Sequence, residues 1–295
     1  MNIPMERFKD VYFRRRFGAV VGALALVALL IAALGSGGTS HRKADPRAAA
    51  HPTTRQLSAA ERHALAHEKE EAAIDAVLAY TPAVVQGGKR GNDVALTFDD
   101  GPGPYTQQLV ETLNRLHVQA TFFAIGIEER YFSAGTLLEL RSGDVVGDHT
   151  QSHPMMGMLS PHDQFEQLRN QIFQIQLLGG ATPRLFRPPY GSFNATTFRE
   201  LRHLHLLMIL WSADTGDYAR PGVQAIVQRA LAGAHPGAII LMHDAGGDRS
   251  QTIAALPAII HGLRARGLDP VTVPRLLLDD PPPPGQPIPT NLSGG

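Results

Sequence analysis

The chain contains no cysteine, four lysines, one tryptophan and no excess of charge of either sign: 27 basic and 27 acidic side chains among 295 residues. Without cysteine there are no disulfides, thiolate metal sites, cysteine nucleophiles or cysteine-linked lipid anchors. Without a basic excess the chain lacks the electrostatic footprint of a nucleic-acid binder. No internal repeat is visible. What is present is unevenly placed. Residues 1–88 carry 11 basic and 8 acidic side chains, whereas residues 89–279 carry 16 and 18. The balance therefore sums a mildly basic N-terminal part and a mildly acidic central one.

Phe17 to Leu34 is an unbroken run of apolar and glycine residues preceded by Arg14, Arg15 and Arg16. As a helix it would span roughly 27 Å at about 1.5 Å per residue, close to the hydrocarbon thickness of a bilayer. We read 1–16 as a cytoplasmic basic segment and 17–35 as an uncleaved single-pass anchor. Cleavage as a signal peptide at the small residues around Ala33 and Gly35 is the alternative, giving a secreted protein. Residues 36–88 read as a flexible linker, rich in Gly, Ser, Pro and Ala, followed by a helical stalk. Ser58 and Glu61 supply a capping box for that helix. Residues 89–279 are the working domain, and 280–295 a Pro-rich disordered tail.

Within the central part, short apolar runs alternate with helical stretches. Strands are expected at Val94–Phe98, Ala120–Ile125, Asp144–Gly147, Arg184–Phe186, Leu206–Trp211, Ala238–Met242 and Pro270–Val273. Helices are expected at Thr106–Leu116, Pro161–Leu178, Val223–Ala232 and Gln251–Arg266, among others. The alternation predicts a parallel α/β architecture, and either a barrel or an open doubly wound sheet fits it.

Unusual polar residues fall just after these strands. Asp99 and Asp100 follow the first, His149 and His153 the third, Arg187 and Tyr190 the fourth, Asp214 and Asp217 the fifth, His243 and Asp244 the sixth. The carboxyl ends of parallel strands share one face, where active sites assemble. Asp-Asp-Gly-Pro alone is good turn chemistry. The i, i+4 spacing of His149 and His153 would put both rings on one face of a helical turn, as zinc sites use, but His63 and His67 share that spacing in the expected stalk. Two histidines and one carboxylate would leave coordination positions open, the pattern of a catalytic rather than a closed structural site.

Five stretches in order, Thr97-Phe98-Asp99-Asp100-Gly101-Pro102, His149-Thr150-Gln151-Ser152-His153, Arg187-Pro188-Pro189-Tyr190-Gly191, Asp214-Thr215-Gly216-Asp217-Tyr218 and Leu241-Met242-His243-Asp244, resemble the polysaccharide deacetylases, the NodB-homology group or carbohydrate esterase family 4. The resemblance covers roughly residues 93–279 and implies a distorted (β/α)7 barrel. It implies Asp99 as catalytic base, Asp100, His149 and His153 as ligands of a divalent metal ion, usually zinc, and Arg187 as the residue that positions the base. It further implies the Tyr190 N–H as oxyanion donor and His243 as general acid, which we expect Asp214 to tune. Tyr218 stands where the family commonly has a groove tryptophan. The implied reaction is hydrolysis of N-acetyl groups by a metal-polarised water, with Asp99 taking its proton and His243 protonating the leaving nitrogen. The expected substrate is N-acetylglucosamine of peptidoglycan or a chitooligosaccharide-like glycan, met outside the bacterial cell membrane. No protein partner is inferred. Two other readings share these residues: an O-acetyl ester or cyclic-amide hydrolase, and a catalytically silent glycan-binding wall module.

Overall fold

The structure is a computed structural model, and it describes residues 57–289. The apolar run expected to anchor the chain lies outside the described residues. Among the described residues no helix is long and apolar enough to cross a membrane.

In chain order the elements are α1 (Ala59–Leu78), β1 (Ala83–Val84), β2 (Asp93–Asp99), α2 (Thr106–Arg115), β3 (Thr121–Ala124), α3 (Gly126–Tyr131), α4 (Ser133–Ser142) and β4 (Val145–Asp148). Then follow α5 (Pro161–Leu177), β5 (Leu185–Phe186), α6 (Ala195–Leu204), β6 (Leu207–Ile209), β7 (Ala213–Asp214), α7 (Val223–Gly233), β8 (Ile239–His243), α8 (Ser250–Ala265), β9 (Asp269–Val271) and α9 (Val273–Asp279). Nine strands form one sheet in the order β1-β6-β5-β4-β3-β2-β8-β7, with β9 joined to β2. Every pairing is parallel. Strand β9 takes the lower half of the β2 edge, at Asp93–Ala95, and β3 the upper half, from Thr97 to Asp99. Among the described residues no pairing joins β1 to β7, so the curled sheet stays open there. That opening is the distortion of the expected barrel.

The period of two along each strand sorts side chains between two cores. Val94, Leu96 and Phe98 of β2 face α2, α7 and α8, together with Ile240 and Met242 of β8. Ala95 of β2 and Ile239 and Leu241 of β8 face the concave side with Phe123, Phe186 and Met208. Asp99 and His243 are the next residues on that concave face, and they are paired directly across the two strands. One alternation thus buries the core and aims two titratable groups at a single spot.

Three expectations about organisation are corrected. Helix α1 has its capping box, with Ser58 Oγ accepting from the Glu61 N–H at 3.2 Å, yet it is no free stalk. Ile74 and Val77 are buried in the concave core, the helix packs on α9, and Arg184 forms an ion pair with Glu71 at 2.6 Å and another with Asp75. The folded unit therefore begins before residue 89, since β1 pairs with β6 at Ala83↔Met208. The tail is also engaged: the Asp280 carboxylate accepts from the N–H groups of Arg90 and Gly91, and Gln286 bonds Val85 and Gln86. Pro282 accepts from the Tyr80 hydroxyl. Val273, expected to end a strand, instead opens α9, because Thr272 caps that helix.

Candidate active site

Asp99 closes β2 and is almost fully buried. One carboxylate oxygen, Oδ1, receives the Arg187 Nη1 donor at 2.8 Å. Arg187 is itself fully buried. Its remaining donors go to Thr97 Oγ1 and to the carbonyls of Ile209 and Leu210, and its guanidinium lies 4.2 Å from the Phe123 ring centroid and 5.7 Å from that of Trp211, the single tryptophan. Burial pulls the Arg187 pKa down while Asp99 pushes it back up. A guanidinium so fully committed fixes Asp99 in one orientation. The other oxygen, Oδ2, faces His149 Nε2 at 3.8 Å.

The next residue turns the chain. Asp100 has φ 74°, and its Oδ1 lies 3.6 Å from His149 Nε2 and 3.1 Å from His153 Nε2. Burial raises the Asp100 pKa, but the imidazoles of His149 and His153 that face it, with the charge of His243, outweigh it and hold the carboxyl far below its usual range. His149 donates from Nδ1 to the Arg187 carbonyl at 2.7 Å, which leaves the Nε2 lone pair toward Asp100. Helical geometry for the two histidines is corrected: residues 149–153 form a loop, with φ 71° at Thr150 and 59° at His153. The Thr150 N–H is held by Asp148 Oδ1, and Thr150 Oγ1 receives the His153 N–H. Tyr190, φ 57°, packs its ring 4.6 Å from that of His153. Asp100, Thr150, His153 and Tyr190 thus all hold left-handed backbone, a conformation costly for residues with a side chain and concentrated at functional sites.

Asp100, His149 and His153 can bring three ligand atoms within 4.8 Å of one another. Asp100 Oδ1 and His153 Nε2 are buried without a hydrogen-bond partner. A carboxylate and two imidazole nitrogens that converge, with the other nitrogen of His149 already engaged, fit a divalent cation of the zinc type.

His243 ends β8 beside Asp99. Its Nδ1 is 2.8 Å from Asp217 Oδ1, its backbone N–H bonds Asp217 Oδ2 at 2.9 Å, and the Thr252 hydroxyl bonds that same oxygen. Burial alone would lower the His243 pKa, but Asp217, aided by Asp100 and Asp99, raises it to about 9. The partner of His243 is therefore Asp217 and not Asp214. The Asp214 carboxylate closes a turn on the Gly216 N–H at 2.7 Å, which positions Asp217 three residues on. Both aspartates stand in one motif, and the register of that turn decides between them. Tyr218 lies edge-on to His243, ring centroids 5.5 Å apart, and is part-exposed at the mouth.

Sequence reasoning set Asp244 at the sixth strand end without a role of its own, and it missed Glu128. Asp244, fully buried, receives the Thr106 hydroxyl, and Thr106 Oγ1 also accepts the Gly103 N–H at 2.8 Å. A Cβ on Gly101 would collide with the Asp244 carboxylate at 2.1 Å, so glycine is required there. Glu128, in the first turn of α3, lines a pocket of about 320 Å³ beside Asp100 and His153. Nothing in its sequence neighbourhood marks it. His203 and His205, by contrast, end α6 at the opposite end of the strands.

The comparisons with known proteins agree with this layout. A family model described as polysaccharide deacetylase matches residues 86–209. A peptidoglycan-N-acetylglucosamine deacetylase of Bacillus cereus is 37% identical over 190 residues, covering 62% of this chain and 87% of its own. The crystal structure of a peptidoglycan N-acetylglucosamine deacetylase superimposes with a TM-score of 0.65 at 30% identity, over 68% of this chain and 95% of that one. A pseudoenzyme of carbohydrate esterase family 4 from Bacillus anthracis gives 0.63 at 30% identity, over 67% and 69%. With its strand order, the cluster at the carboxyl ends of its strands and these likenesses in agreement, the chain belongs to the polysaccharide deacetylase family and is a hydrolase of N-acetyl amides.

Proposed function

We propose that this enzyme removes N-acetyl groups from N-acetylglucosamine in bacterial peptidoglycan, at a zinc-type site, while tethered to the outer face of the cell membrane by residues 17–35. The observation that carries the reading is the grouping of three units on one concave face. Asp99 is held by Arg187, Asp100 converges with His149 and His153, and His243 is backed by Asp217. The tether rests on the apolar run of the sequence.

Asp100, His149 and His153 would hold the cation. When bound, it supplies Lewis acidity that makes water acidic enough to attack near neutral pH and draws electron density from the amide carbonyl. The residues do the rest. Asp99 Oδ2, left free by Arg187, takes the proton of the attacking water. The Tyr190 N–H, presented by left-handed backbone, donates to the carbonyl oxygen as it gains charge. His243, kept protonated by Asp217, gives its proton to the nitrogen as the C–N bond breaks, because an amide nitrogen leaves poorly unprotonated. Acetate and a free amine result. General acid–base assistance of this kind is worth about 10² to 10⁴ in rate. Arg187 and Asp217 touch no substrate and are positioning residues.

The presence of every one of these groups argues against a silent wall-binding module. The test is acetate release from N-acetylglucosamine oligomers by the 57–295 fragment supplied with Zn²⁺, beside acetylxylan as an O-acetyl substrate. Release from the oligomers supports the reading. Release from the ester alone would move the activity to O-acetyl groups, and none from either would favour the silent module.

A further inference from the structure

Beside the metal-ligand cluster lies a pocket of about 320 Å³, walled by Asp100, His153 and Glu128, with Ile125, Gly246 and Gly247 among its other lining. Asp100 and His153 are committed to the cation they would hold. That leaves Glu128 as the free charge of the pocket. Its carboxylate makes no hydrogen bond or ion pair among the described residues and is half-exposed. Its neighbour Glu129 does the opposite, turning inward to be buried and bonded by Thr136. No lysine or arginine lines the pocket. Arg249 sits buried, its guanidinium donated to the Ala245 and Gly246 carbonyls. Gly246 and Gly247, at φ 73° and 141°, offer a wall without side chains against which a sugar ring can lie close.

Resting on the deacetylase reading, we propose that Glu128 is a specificity-determining residue: it accepts hydroxyl donors of an uncharged sugar beside the reacting N-acetyl group and disfavours a sugar that brings a carboxylate there. Peptidoglycan poses that choice directly. Its two N-acetylated sugars differ in a lactyl ether, which on N-acetylmuramic acid ends in a carboxylate unless that group is amide-linked. With Asp100 and His153 given to the cation and Arg249 tied to backbone carbonyls, a second carboxylate brought beside Glu128 is repelled by it, and the repulsion is screened by salt.

The test compares two oligosaccharides containing N-acetylglucosamine and N-acetylmuramic acid, one with the free lactyl acid and one with it capped as the methyl amide, so that the pair differs in charge. The zinc-loaded 57–295 fragment is expected to favour the capped form by about five- to tenfold in kcat/KM at low ionic strength, and by less in 0.5 M salt. Glu128→Gln, checked for equal zinc content and melting temperature, should bring the ratio close to one, whatever it does to either rate. A wild-type ratio of one, a preference for the free acid, or a ratio unchanged in Glu128→Gln would overturn the inference and leave the deacetylase reading standing. Turnover of neither oligosaccharide and of no N-acetylglucosamine oligomer would overturn both.

Discussion

The imidazole of His243 is buried, which by itself favours the neutral ring. The hydrogen bond and charge of Asp217, with Asp100 and Asp99, reverse that and raise its pKa to about 9. A general acid needs its proton at working pH, so Asp217 sets how far into alkaline conditions the reaction runs. Asp217→Asn removes the charge that raises the pKa, and His243 should then lose its proton at lower pH. The alkaline limb of kcat against pH is expected to move down by at least one unit, with the acid limb and the zinc content unchanged. Asp214→Asn should leave that limb in place, and an equal shift from both would deny Asp217 its role. At this scale most of the site was legible in the sequence. Asp99, Asp100, His149, His153, Arg187 and His243 could be picked out because each follows an apolar strand. The choice between Asp217 and Asp214 was not legible, because it depends on a turn at Gly216 that sequence spacing does not fix. Glu128 was hidden for a different reason: its role comes from the pocket it faces, not from its neighbours in the chain.

Seven strands were legible as short apolar runs, from β2, β3 and β8 down to the two-residue β5 within Arg184–Phe186. The two-residue strands β1 and β7 carry no periodicity and escaped notice. Helix α1 shows where local pattern misleads. Its capping box and its Ala- and Glu-rich sequence predict a helix correctly, but an exposed stalk and a packed helix differ by only a few apolar positions. Ile74 and Val77, buried to 1% exposure, make that difference. Burying them contributes roughly 1.5–3 kcal/mol each, to which β1 pairing and the ion pairs of Arg184 add. A fragment starting at Lys89 is therefore expected to melt about 10 °C or more below one starting at Leu57, or to fail to fold. Equal melting temperatures would return α1 to the status of a stalk.

Across the whole molecule the unusual feature is the number of carboxyls whose pKa burial pushes up. Burial raises Glu129, Asp144 and Asp244 to about 7, and lifts Glu139 and Asp148 well above the ordinary range. Each binds a proton in the folded state that the unfolded chain releases near pH 4, so the stability it contributes is present below that value and is lost as pH rises through the folded value. His243 extends the loss upward, from 6.5 to about 9. Asp100 and Asp217 have lowered values and act in the other direction, but only at pH below about 4. The melting temperature of the metal-free protein is thus expected to fall steadily from pH 5 to pH 9 in calorimetry. A flat or rising profile would mean that these carboxyls are ionised in the folded state. The zero net charge of the chain conceals all of this, since it counts every carboxylate as charged.

The central claim is that Asp99 takes the proton of the attacking water while Asp100, His149 and His153 hold the cation. One paired measurement reaches it most directly: acetate released from N-acetylglucosamine oligomers together with zinc bound per chain, for wild type, Asp99→Asn and Asp100→Ala. The account expects wild type to release acetate and Asp99→Asn to keep its zinc while losing activity at least about a hundredfold. Asp100→Ala should lose zinc and activity together. An active Asp99→Asn, or an Asp100→Ala that binds zinc as tightly as wild type, would contradict it.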